Sequence, residues 1–357
     1  KPYTETEWEA IDALGHLVDT KLKRGDVRLT MGGEPTFVSI DDMEGGEWNT
    51  AADSPAKRER AIDLTHRLRE EFAPGGLIWF GEGKWYPGEP VPRWAYGIFW
   101  RNDGYPMWRS SSTQADPAKP GGFTQEDSGR LMKEIASVLR IADDCVIPAC
   151  EDVEYYRWKL AALPVHEEPE EFNEETASLE RKTLAQLEKR GLEVPTGYVL
   201  PIFVSKTANR WVAAEWKLKR GTLFLIPGAS AMGFRLPLDS IREATADDVI
   251  KERSPMDTDW EALDPNPLAS YFGDLAECHD EWIPRTALTA ECREGRLHVF
   301  LPPVSRLEEY LELLAAVELA AERINVSVVI EGYEPPRDPR VRNLKVTPDP
   351  GVIEVNI

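Results

Sequence analysis

Residues 296–331, RLHVFLPPVSRLEEYLELLAAVELAAERINVSVVIE, read as strand, helix, strand. RLHVFLPP (296–303) is a short apolar-rich run closed by two prolines, which suits a strand that stops there. Ser305-Arg306-Leu307-Glu308 has the spacing of a capping box. Leu307, Leu311, Leu314, Val317 and Ala321 then recur at helical intervals and predict one core-facing stripe. VSVVIE (326–331) is the second strand.

NLKVTPDPGVIEVNI (343–357) predicts a hairpin turning through Pro348-Asp349-Pro350-Gly351. In its last arm, alternation puts Val352, Glu354 and Asn356 on one face and Ile353, Val355 and Ile357 on the other. A carboxylate in an otherwise apolar strand needs a partner or solvent, so Glu354 and Asn356 are candidate site residues. The chain stops inside this strand, and the expectation is a fragment of a longer protein.

Towards the N-terminus the same reading continues. Residues 4–22 form a helix with Trp8, Ile11, Leu14 and Val18 on one face. RLTMGGEPTFVSIDD (28–42) is strand-like, but Gly32-Gly33-Glu34-Pro35 interrupts it. Glycine and proline weaken a ladder, so the run bends, bulges or lets something approach its backbone. DSPAKRERAIDLTHRLREEF (53–72) is a helix, with Ser54 as N-cap and Pro55 at the first helical position. Its buried face is expected to hold Ile62, Thr65, Leu68 and Phe72. Strands follow at 76–80 and 94–101. A helix over 124–141 carries Thr124 as cap and Asp127 at the third position.

Residues 165–192 are too charged to bury much surface and predict an exposed excursion. GYVLPIFVS, RWVAAEWKL, GTLFLIP and GFRLPL then suggest a meander of short strands. Residues 240–284 show no clear periodicity. The organisation expected is an N-terminal helix (1–26), an α/β lobe with the acidic strand and a tryptophan-rich region (27–150), a charged helical excursion (151–195), a β-rich meander (196–284) and a closing strand–helix–strand–hairpin lobe (285–357). The fold class is α+β, with largely antiparallel sheets flanked by helices.

Composition narrows the function. The chain has 357 residues, 42% hydrophobic, with 12 tryptophans, which is a globular composition. Forty-two Lys and Arg face 63 Asp and Glu, a formal charge of -21. Such a surface repels phosphate backbones and argues against a nucleic-acid partner. No apolar run is long enough to span a membrane, and KPYTETEWEA lacks a signal-peptide core. The four cysteines, Cys145, Cys150, Cys278 and Cys292, match no zinc spacing. Reduced, buried thiols in a cytoplasmic protein are the expectation.

Nucleophilic cysteine chemistry is disfavoured. Cys278 and His279 are chain neighbours that point apart on a strand, and Cys145 and Cys150 lie beside acids that raise a thiol's pKa. His16, His66, His166, His279 and His298 form no ligand motif, and GEGKW (81–85) is not a P-loop.

LTMGGEPTFVSIDD, GEGKWYPGEPVPRWAYGIFWRNDG, GASAMGFRLPLDS, RTALTAECREGRLHVFLPP and PDPGVIEVNI, in that order, resemble a family of bacterial amidoligases often fused behind a transglutaminase-like domain. The resemblance runs from about Val27 to Ile357. It implies a glutamine synthetase-like catalytic fold, incomplete here because the family's glycine-rich nucleotide segment lies further on. It implies a ligase joining a carboxylate to an amine, on peptides or amino-acid-like substrates, through an acyl phosphate, with ATP and magnesium as cofactors.

Glu34 and Glu354 would be metal ligands on neighbouring strands, with Asp41 and Asp42 as weaker ones. Glu291 and Arg235 would serve catalysis, and Lys84, Arg93 and Asn356 the nucleotide. Carboxylate oxygens suit magnesium, and basic groups beside glycines suit phosphate. The alternative is a non-catalytic peptide-binding module that partners a transglutaminase-like domain through the tryptophan-rich stretch 79–108.

Overall fold

The computed structural model describes residues 3–25, 34–86, 92–117, 119–152, 154–155, 158, 194–218, 220–227, 234–251, 253–254, 257, 260–279 and 282–357. The chain divides into two units, Lys1–Pro35 and Thr36–Ile357. The first contains helix α1 (Glu5–Arg24), started by a capping box in which Thr4 and Glu7 exchange hydrogen bonds. Residues 28–33 of the interrupted stretch 28–42, and all of 165–192, lie outside the described residues.

The second unit is built on one large sheet. Strand β10 (Arg296–Leu301), helix α5 (Leu307–Ile324) and strand β11 (Val328–Gly332) form the expected strand–helix–strand, with β10 and β11 parallel. The predicted stripe of α5 is buried throughout. Its cap is shifted by one place. Glu309, not Glu308, reaches back, accepting from the backbone N–H groups of Ser305 and Arg306 at 3.1 Å each. Both acids suit the pattern, and the one that points back over the first turn takes the role.

The remaining strands are β1 (Thr36–Phe37), β2 (Leu77–Glu82), β3 (Trp94–Arg101), β4 (Ile147–Glu151), β5 (Gly197–Ser205), β6 (Arg210–Ala213), β7 (Leu223–Pro227), β8 (Phe234–Arg235), β9 (Ala287–Arg293), β12 (Val341–Asp349) and β13 (Val352–Asn356). Their order is β1-β13-β12-β3-β2-β11-β10-β9-β5-β4-β7-β8, with β6 paired to β5. Most neighbours are antiparallel; β10–β11, β11–β2 and β4–β7 are parallel. The 196–238 segment is therefore not a simple meander: β6 folds back on β5, but β7 crosses to run beside β4.

Other helices include α2 (Pro55–Phe72), α3 (Gln125–Val138) and the short α4 (Leu238–Ile241). Ser54 caps α2 and Thr124 with Asp127 caps α3, as the sequence indicates. On α2 the buried residues are Lys57, Ala61, Ile62 and Thr65, whereas Phe72, expected inside, is 60% exposed at the helix end. No helix among the described residues is long and apolar enough to cross a membrane.

Register fixes which residues share a face. Ala290 faces Val299, Val299 lies beside Ile330, Ile330 beside Trp79, and Trp79 faces Gly97. This is the face on which α3 and α5 pack, with Leu131, Ile135, Leu314 and Val317 in the same core. On the reverse, Glu291 faces His298, Phe300 lies beside Glu331, Glu331 beside Phe80, and Phe80 faces Tyr96. There α2 covers Tyr96, Ile98, Val346 and Val355 at one end. Ala149, Val199, Leu225 and Ala287 make a smaller apolar cluster at the other.

Candidate functional site

Among the candidates of the second unit whose side chains are described, Glu354, Lys84, Asn356 and Arg93 lie along the β12–β13 hairpin, and Glu291 lies elsewhere in the sheet. Glu354 stands opposite Thr347 on β12 and opposite Thr36 on β1. Its carboxylate pairs with Lys84 Nζ at 2.7 Å. On the same edge Asn356 Nδ2 donates to Thr347 Oγ1 at 3.0 Å. Arg93 pairs with Asp349 at 2.5 Å and lies over the Tyr86 ring, 4.3 Å from its centroid.

The same hairpin turn is held by Lys57. Its side chain is fully buried, and its ammonium donates to the carbonyls of Ala51, Ala52 and Asp349 at 2.8, 3.1 and 2.6 Å. Lys57 thus clamps the β12–β13 turn to the start of α2, and Arg93 clamps it to the start of β3.

The remaining acids are at the surface. Asp41 pairs with Arg60 at 2.8 Å, and Asp42 accepts from the Gly45 N–H at 2.9 Å. Glu34 belongs to the first unit and is exposed, two residues before β1. Arg235 stands on β8 opposite Ile226; its side chain lies outside the described residues. Of the tryptophans in 79–108, Trp79, Trp94 and Trp108 are buried while Trp85 is 69% exposed. That stretch packs mostly as core, which removes most of the aromatic platform a peptide-binding surface would use.

Glu291 does belong to a polar cluster, on the reverse face between the two apolar clusters. Glu291, His298 and Glu331 are all buried. Arg293 Nε lies 3.1 Å from Glu291 Oε1, and its guanidinium also pairs with Glu331. His298 Nδ1 lies 3.2 Å from Glu331 Oε2. Glu151, buried on β4, shares this face through the register of β4 with β5 and of β5 with β9.

Burial and neighbours act on these groups in opposite directions. Burial pushes the His298 imidazole below its ordinary pKa, against the attraction of Glu331. Burial would raise Glu331, but Arg293 and His298 hold it below the usual carboxylate range. The Arg293 guanidinium is held above its ordinary value by the two carboxylates despite its own burial. A neutral imidazole beside an ionised carboxylate keeps its proton on Nδ1. Nε2 is then a lone-pair acceptor, and it has no hydrogen-bond partner among the described residues. Leaving a buried acceptor unsatisfied costs about 1–3 kcal/mol.

His298, Arg293 and Glu331 were missed in the sequence because each reads as an ordinary strand residue. The signal was available: Thr289, Glu291 and Arg293 alternate with Leu288, Ala290 and Cys292, and His298 interrupts Leu297 and Val299. Alternation of this kind singled out Glu354, and the same test applied to β9 and β10 finds the cluster.

One group of three possible metal-ligating side chains among the described residues has its donor atoms within 4.8 Å of one another: Asp144, Cys145 and Cys278. The two cysteines are joined in a disulfide, so the expectation of reduced thiols is overturned for that pair. Cys150 and Cys292 lie outside that disulfide.

No curated protein and no solved structure matches the chain. Residues 1–267 and 272–357 match the family described as "Putative amidoligase enzyme (DUF2126)". A match over nearly the whole length settles membership: the chain belongs to this amidoligase family.

Proposed function

We propose that the protein is an ATP- and magnesium-dependent carboxylate–amine ligase, or the part of one that carries its acidic site, acting on peptide or amino-acid-like substrates. The observation that carries this reading is the buried Glu291–Arg293–Glu331–His298 cluster on the reverse face of the sheet. Family membership supports the reaction class.

The donor set suits magnesium in one specific sense. Magnesium is held by one or two carboxylates together with substrate phosphates, rather than by a complete protein cage. Glu291 and Glu331 supply two carboxylates within reach of one guanidinium. Bound there, the ion would neutralise nucleotide phosphates during formation of an acyl phosphate. Arg293 fixes the orientation of both carboxylates. His298 is oriented by Glu331, with its Nε2 enclosed beside the two carboxylates.

Burial favours a second reading, in which the cluster is a structural ion-pair network. The two readings separate on one experiment. Calorimetric binding of ATP with and without magnesium is measured on the protein and on Glu291→Gln, alongside urea unfolding of both. Loss of magnesium-dependent binding at unchanged stability supports the ligase. Retained binding with reduced stability supports the structural network.

A further inference from the structure

We propose that α1 is a self-association element that pairs antiparallel with α1 of a second copy of this chain. None of its residues is buried. Trp8 is 57% exposed, Ile11 43%, Leu14 61% and Val18 46%. These residues share one side of a 20-residue helix about 30 Å long. In proteins most of a helix's stability comes from packing its apolar face, and this face has no cover among the described residues.

The charge pattern selects both the occupant and its direction. Glu5, Glu7, Glu9 and Asp12 fill the first half of α1, and Lys21, Lys23 and Arg24 the last turn. A parallel partner would set acid against acid and base against base. An antiparallel copy sets each acidic half against a basic last turn. Centred between Leu14 and Gly15, such a pair brings Ile11 to Val18 and Trp8 to Lys21, and each contact occurs twice, as a two-fold axis requires. Gly15 falls at the crossing, where a Cβ would meet nothing within 4 Å, so the backbones can approach there. Opposite charges flanking an apolar seam set partner and orientation in paired helices.

The test uses the whole chain. Sedimentation velocity from about 1 to 200 µM should show a monomer–dimer equilibrium that weakens with salt, as a charge-assisted contact must. Ile11→Glu and Val18→Glu should each shift the dissociation constant at least tenfold. Orientation is read by mild oxidation of single added cysteines, with the unaltered protein as control. Gly15→Cys should cross-link two chains, while Thr6→Cys should not, since antiparallel pairing holds the two copies of position 6 about 25 Å apart. A protein that stays monomeric throughout this range overturns the proposal. Cross-linking through Thr6→Cys overturns the antiparallel arrangement. Circular dichroism of the glutamate variants separates lost pairing from lost helix: unchanged ellipticity with loss of the dimer supports the proposal, and a dimer that persists overturns it.

Discussion

Glu291 and Glu354 stand on opposite faces of one sheet. Between them lie β12, β3, β2, β11 and β10. Glu354 shares its face with Thr347, Lys345 and Trp79, and Glu291 shares the reverse face with His298 and Glu331. The two glutamates therefore cannot hold one ion, and their substitutions should behave differently. Glu291→Gln is expected to weaken magnesium–nucleotide binding by at least tenfold, and Glu354→Gln by less than about twofold. Loss of one charged ligand in a cation site costs more than 1.4 kcal/mol, whereas a remote ion pair such as Lys84–Glu354 does not reach the ligand. Calorimetry on both variants decides it, and the reverse ranking would move the site to the β13 edge.

The disulfide gives a second expectation. Cys145 and Cys278 are 133 residues apart in sequence and join the turn between α3 and β4 to the loop-rich 240–284 segment. Closing a loop of that length stabilises the native state by about 2–5 kcal/mol relative to the open chain. Peptide mapping without reductant should recover the Cys145–Cys278 pair, and dithiothreitol should lower the urea midpoint. Recovery of both as free thiols from freshly purified, unreduced protein would refute the bridge.

Lys57 is the third. A fully buried ammonium that satisfies three carbonyls is a structural clamp, and its loss strands those acceptors. Lys57→Met keeps the stem and removes the charge. It is expected to cost about 2–4 kcal/mol, read from chemical denaturation. Gly351 in the same turn has φ +74, and a Cβ there would sit 2.9 Å from the Asn49 carbonyl oxygen. Gly351→Ala should therefore also destabilise, by about 1–2 kcal/mol. A neutral outcome at both positions would mean the turn is not held as described.

How much of this was legible depended on whether the signal was local. The 296–331 unit, the Thr124–Asp127 cap and the Pro350-Gly351 turn were readable because each is decided by residues a few places apart. The parallel pairing of β7 with β4 was not, since the partner lies more than 70 residues upstream and nothing in GTLFLIP names it. Lys57 was invisible for a different reason. Burying a lysine is expected only where its ammonium finds partners, and those partners are backbone carbonyls, which every sequence has. The Glu291 cluster lay between: its alternation was present in the sequence, but the convergence of β9, β10 and β11 on one face was needed to give it meaning.

Glu312 supplies the last prediction. It lies on α5, and Tyr271 Oη donates to its Oε2 at 2.5 Å. Burial pushes its carboxyl up to about 7, and the hydrogen bond from Tyr271 only partly opposes this. The folded state therefore holds this proton more tightly than the unfolded chain, whose glutamate titrates near 4.5. The stability gained is fully present below about pH 4.5 and is lost as the pH rises through about 7. Glu312→Gln keeps an acceptor for Tyr271 and removes the charge. Its effect should be small at pH 5. At pH 8 it should stabilise the protein by about 1–2 kcal/mol, a figure already reduced for solvent screening of a group that is not fully enclosed. Urea midpoints of both proteins between pH 5 and 8 should converge at the acid end and separate at the alkaline end. Profiles that stay parallel across this range would mean that Glu312 is ionised throughout in the folded protein, and the assignment of a raised pKa to the Glu312 carboxyl would fall.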